Sequence, residues 1–171
     1  MSGVENWMRS SENYAGELTS AFLTVTSIKG LLFNIVLIAV IPAIGEELLF
    51  RGVLQRIFTE WFKNPHWGIW IAAILFSAIH MQFFGFLPRL FLGLFFGYLL
   101  EATGSLWIPI VAHFINNLTG VLLSFFVAKN ALPESTNDFG MTGETWVYGI
   151  IGGILGSVLL WLIVRKRNSV L

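Results

Sequence analysis

NPHWGIWIAAILFSAIHMQFFGFLPRLFLGLFFGYLLEATGSLWIPIVAHFINNLTGVLLSFFVA, residues 64–128, carries formal charges only at Arg89 and Glu101. A bilayer core takes about 20 apolar residues per helix, so this stretch alone holds material for several spans. Outward from it, residues 145–164 carry no charge, and 31–60 form a further apolar run interrupted by acids and arginines. Candidate spans therefore fall at 31–60, 66–84, 87–101, 106–128 and 145–164. The first is too long and too polar for one plain span, and Pro42 is expected to kink or break it.

Composition agrees. Of 171 residues, 56% are hydrophobic and 12% charged, with mean hydropathy +0.75, against roughly 45–50% and 25% in soluble domains. Disorder, nucleic-acid binding and an ordinary soluble globule are excluded. Lys+Arg 10 and Asp+Glu 10 cancel, so no global field steers a charged partner. The absence of cysteine removes disulfides, thiolate metal sites and cysteine nucleophiles together. The expected fold class is all-α, a polytopic transmembrane helix bundle with an N-terminal amphipathic segment. Residues 1–30 form that segment, with an interfacial helix near Glu12–Ile28; 31–128 form the core; 129–171 form a polar loop and a C-terminal transmembrane helix. No signal peptide is visible, because Met1 is not followed by a basic region and a compact apolar run.

Orientation follows from basic residues. Arg165, Lys166 and Arg167 close the last span and place the C-terminus in the cytoplasm. Glu134, Asp138 and Glu144, against a single Lys129, suit the far side. Counting back puts the Arg56/Lys63 segment inside. Trp61, Trp67, Trp107, Trp146 and Trp161 lie near span ends, where an aromatic belt forms. Gly93 and Gly97, Gly149 and Gly153, and Gly152 and Gly156 repeat the G-x-x-x-G spacing of close helix contact.

An ionisable side chain at mid-bilayer costs ~2.5–3.5 kcal/mol, which makes each one a functional candidate. Glu47 and Arg51 are four apart on a helix, share a face and can pair. Glu46 is rotated about 100° away and has no built-in counter-ion, so desolvation suits it to general acid–base work. His80 ends an apolar run as a hydrogen-bonded core residue or as a site group. His113 and Asn117, at i and i+4, present an imidazole and an amide on one face. Both can donate to an oxygen whose negative charge appears only during reaction. Asn116 points elsewhere, and His66 reads as interfacial. Two chemistries fit. Glu46 and His80 can deprotonate a water while His113 and Asn117 receive the oxyanion; or Glu46, His80 and His113 can ligate zinc or another divalent metal. No H-E-x-x-H helix is present. The spans leave His80 and His113 about 10 Å apart in depth at 1.5 Å per residue. A 66–84 helix that starts deeper or overhangs the cytoplasm, or an extended Ser105–Pro109 with Ile108 out of helical geometry, closes that gap.

E-E-x-x-x-R (Glu46, Glu47, Arg51), F-x-x-x-H (Phe76, His80) and H-x-x-x-N (His113, Asn117) occur in order, each on its own apolar segment. Together they resemble the three motifs of the CPBP/Abi family, the type II CAAX prenyl endopeptidases and bacteriocin-processing membrane proteases. Pro42-Ala43-Ile44-Gly45, Phe50-Arg51-Gly52 and Ser105-Leu106-Trp107-Ile108-Pro109 extend the likeness, which covers about Leu31 to Ala128. The resemblance implies an integral membrane endopeptidase of bacterial type in which Glu46 with His80 activates water. His113 with Asn117 then forms the oxyanion site, and Glu47 and Arg51 support the first helix. Members are labelled metalloproteases, although a glutamate protease accounts for the chemistry equally. The implied partners are the bilayer and a peptide or small membrane-protein substrate, with no nucleic acid. Members commonly carry additional spans ahead of the first motif, where this chain has residues 1–30. A non-catalytic membrane binder or immunity protein has no need of an unpaired acid. A proton-coupled transporter would want a polar lane reaching both faces and internal repeats, and neither is visible.

Overall fold

Helix α1 (Ser2–Leu23) stops four residues ahead of Ser27, which takes an extended conformation to cap the next helix through its hydroxyl and the Gly30 N–H. The helix therefore runs earlier than Glu12–Ile28. The coordinates are a computed structural model. They describe residues 2–83 and 85–138, with 151, 152, 156, 158, 162 and 165. Val4, Trp7, Tyr14, Leu18 and Phe22 leave apolar surface on α1 exposed. Its end is tied down by buried Asn34, which donates to the Phe22 carbonyl at 2.6 Å.

Helix α2 runs without a break from Ile28 to Phe62, 35 residues, about 50 Å against a hydrocarbon core of about 30 Å. Pro42 does not break it. The helix widens to π geometry at Ile35–Val40, just ahead of the proline, and again at Leu48–Leu54. Pro42 lacks the N–H that would bond the Ile38 carbonyl four residues back. That carbonyl instead accepts from the Asn117 side chain at 3.1 Å. A neighbouring helix thus supplies the missing donor, as spans with internal prolines require.

Lys63 in the left-handed conformation ends α2, and Asn64 caps α3 (Pro65–Ala78) by accepting from the His66 N–H at 2.9 Å. This two-residue turn is possible because Gly68 lets the helices touch: a Cβ there would lie 2.1 Å from Thr59 Oγ1. With 14 residues α3 is about 21 Å long, and it ends short of the expected 66–84. After the His80–Gly85 loop, α4 (Phe86–Thr103) returns, and α5 (Trp107–Ala128) follows Gly104, whose φ of 67 closes the turn. Ile108 is helical. Pro109 occupies the first turn of α5, where no N–H is needed, so Ser105–Pro109 is not the extended lift considered above. α4 packs closely on α3: a Cβ on Gly93 would come 3.2 Å from Ala73, and on Gly97 2.8 Å from Ile69.

No strand occurs among the described residues. α2, α4 and α5 are each long and apolar enough to cross a membrane, and α3 is a shorter apolar helix. Trp61, Trp67 and Trp107 are exposed where α2 ends and α3 and α5 begin. Most of the 145–164 span, with Trp146, Trp161, Gly149 and Gly153, lies outside the described residues.

Candidate active site

Glu47 is fully buried on α2 and its Oε1 is doubly engaged. Arg51 Nη1 donates to it at 2.8 Å, one turn along as the spacing requires, and His113 Nδ1 of α5 lies at 2.9 Å. Arg51 is 1% exposed. Its Nη2 donates to the Gly93 carbonyl of α4 at 2.8 Å, and its guanidinium lies over the rings of Phe76 and Phe96, 4.6 and 5.4 Å from their centroids. One ion pair thereby holds four helices together. Phe96 stacks on the His113 ring at 5.1 Å, and Phe76 meets it edge-on.

Glu46 faces elsewhere and is partly exposed. Its Oε2 lies 3.9 Å from His80 Nε2 and 3.9 Å from His113 Nε2, and has no hydrogen-bond partner among the described residues. Three residues from three segments thus meet at one carboxylate oxygen. The depth gap is closed because α3 stops at Ala78 and His80 sits in the turn beyond it. There its Nδ1 reaches back to the Phe76 carbonyl at 2.7 Å.

These bonds fix the imidazole tautomers. A carbonyl only accepts, so His80 Nδ1 carries the proton and Nε2 of the neutral ring offers a lone pair towards Glu46. Glu47, ionised against Arg51, likewise accepts from His113 Nδ1. His113 Nε2 can then donate only when the ring holds both protons.

Asn117 stands apart. One amide N–H goes to the Ile38 carbonyl, its Oδ1 accepts from Asn116 at 3.2 Å, and no hydrogen bond joins it to Glu46, His80 or His113 among the described residues. His66 is exposed beside the Tyr98 hydroxyl at 3.0 Å. The donor types at Glu46, His80 and His113 suit a divalent ion. As placed, however, no three His, Cys, Asp or Glu side chains among the described residues form a group that could hold one.

Three features escape motif spacing. The Glu47–His113 bond and the Gly93 carbonyl under Arg51 join residues 66 and 42 positions apart. Phe96, between Gly93 and Gly97, carries only a packing signal.

Comparison with known proteins identifies the family. Residues 28–119, more than half of the chain, match the family described as type II CAAX prenyl endopeptidase Rce1-like. "Uncharacterized protein YpbD" of Bacillus subtilis is 32% identical over 116 residues, 66% of this chain and 54% of that protein. "Putative membrane peptidase YdiL" of the same organism is 26% identical over 146 residues, 85% of this chain and 53% of that one. An uncharacterized 24.3 kDa protein of Escherichia coli is 30% identical over 100 residues, 56% of this chain and 46% of that one. The chain spans about half the length of these relatives. No solved structure matches it significantly. With membrane-spanning helices, an acid and two histidines drawn together, and this match, the chain is an integral membrane protein belonging to the type II CAAX prenyl endopeptidase Rce1-like family.

Proposed function

We propose that the protein is an intramembrane endopeptidase in which Glu46 is the general base. The observation that supports this is the buried Glu46 Oε2, unpartnered and equidistant from two imidazole Nε2 atoms. Glu46 and the His80 lone pair take the proton of a water as it attacks the peptide carbonyl. The carbonyl becomes a tetrahedral oxyanion, and the proton passes to the leaving amine as the C–N bond breaks.

The two histidines differ in what stands behind them. A carboxylate, Glu47, stands at His113 Nδ1, whereas a backbone carbonyl, that of Phe76, stands at His80 Nδ1. His113, held by Glu47, therefore faces the oxyanion, and His80 serves as the acceptor. Asn117 spends one N–H on Ile38 and has one left for the oxyanion. Glu47 and Arg51 hold His113 in place. No metal takes part in this scheme. The active protein sits in the bacterial inner membrane with its C-terminus in the cytoplasm, and it cuts a peptide or small membrane protein.

Purified protein in detergent micelles, incubated with an apolar peptide library read by mass spectrometry, tests this. Cleavage should fall ~10²–10⁴-fold in Glu46→Gln and survive chelation. Full activity in Glu46→Gln overturns the assignment. Loss on chelation, with recovery and stoichiometric binding on adding zinc back, overturns the metal-free scheme.

A further inference from the structure

Arg89 is an intramembrane cation that the proposed reaction does not use. It lies in the first turn of α4, directly after the loop that carries His80. Its Nη2 is clamped by the Gln82 side chain. Gly85 makes room for the guanidinium: a Cβ there would come 3.2 Å from Nη2 and 3.5 Å from Nη1. The second nitrogen, Nη1, is buried and has no hydrogen-bond partner among the described residues.

A guanidinium N–H left unmet by both protein and solvent is costly, and arginine within a span normally pairs. Arg89 directly follows the loop that carries His80, and its charge acts on both Glu46 and His80. Of the acids outside the site, Glu12 of α1 is the one whose charge acts on it. An anchored, half-satisfied guanidinium matches a carboxylate, because its N–H groups form charge-assisted bonds with the paired oxygens.

The geometry points to Arg89 as the residue that binds a carboxylate of the peptide substrate through Nη1, setting the scissile bond against Glu46. This rests on the peptidase reading. The carboxylate is either the peptide's C-terminus or an Asp or Glu side chain, and the two share the same chemistry.

Equilibrium binding separates the possibilities without cleavage. In a Glu46→Gln background, three fluorescein-labelled apolar tetrapeptides are compared by anisotropy: a free acid, its C-terminal amide, and the amide with one residue replaced by Glu. The free acid should bind about 10–100-fold more tightly than the amide. Arg89→Gln should bring that ratio to near one without weakening the amide. Rescue by the Glu-containing amide assigns a side-chain carboxylate; its failure assigns the C-terminus. If Arg89→Gln does not fold, Arg89→Lys should keep part of the preference. Acid and amide binding equally well in the Glu46→Gln protein, or a preference unchanged in the Arg89 variant, overturns the proposal. An acid preference that depends on Arg89, together with no cleavage by the parent protein, overturns the peptidase reading alone.

Discussion

Asn117 shows how one side chain can answer to both fold and chemistry. Its amide satisfies the carbonyl that Pro42 leaves without a donor. Asn117→Ala should therefore destabilise by about 1–3 kcal/mol, the cost of a buried unmet acceptor, seen as a lower melting temperature. Adding Pro42→Ala restores the backbone N–H and should recover most of that loss. If the double variant is stable yet ~10²–10³-fold slower, the second amide N–H serves the oxyanion; if it is fully active, Asn117 is structural only. The division between Glu46 and Glu47 was legible in the sequence, because i, i+4 spacing pairs Glu47 with Arg51 and leaves Glu46 free. The bond from Asn117 to Ile38 was not, since it joins residues 79 apart and depends on a π turn that no local pattern announces.

At the scale of elements, glycines set how closely helices approach, and G-x-x-x-G spacing predicted this for Gly93 and Gly97 but not for Gly152, where a Cβ would meet nothing within 4 Å. The structure adds Gly68, which no such spacing marks. A methyl on Gly68 would collide with Thr59 Oγ1 at 2.1 Å and with the Gln55 backbone oxygen at 2.6 Å, whereas on Gly120 it meets nothing within 4 Å. Gly68→Ala should force α2 and α3 apart and cost about 1–3 kcal/mol or more, while Gly120→Ala should leave the melting temperature unchanged or slightly raised. Equal melting of the two variants would contradict the tight α2–α3 hairpin. Helix existence was readable from hydropathy, but boundaries were not. Hydropathy gives α3 an extent of 66–84, yet the helix ends at Ala78 and His80, in the turn beyond it, bonds back to the Phe76 carbonyl. Likewise, Pro42 reads as a break only if the π turn that absorbs it is unknown.

Across the whole molecule, the cysteine-free sequence allows single-cysteine labelling directly. Glu60→Cys, in the last turn of α2, and Glu134→Cys, after α5, should react with an impermeant maleimide from opposite sides of sealed vesicles. Labelling from one side would contradict the alternating spans read from the basic residues. The bundle as a whole is held by the Glu47–Arg51–His113 cluster, while Glu46 bonds to nothing at Oε2. Removing one member of a buried pair costs about 3–5 kcal/mol; neutralising an unpartnered acid relieves a burial cost instead. The decisive measurement is thus the thermal unfolding of Glu46→Gln and Glu47→Gln beside the parent protein, with cleavage followed in the same preparations. Glu46→Gln should melt at or above the parent and be inactive, and Glu47→Gln should melt well below it. A Glu46→Gln protein as destabilised as Glu47→Gln, or a stable but inactive Glu47→Gln, would contradict the division of labour between the two acids.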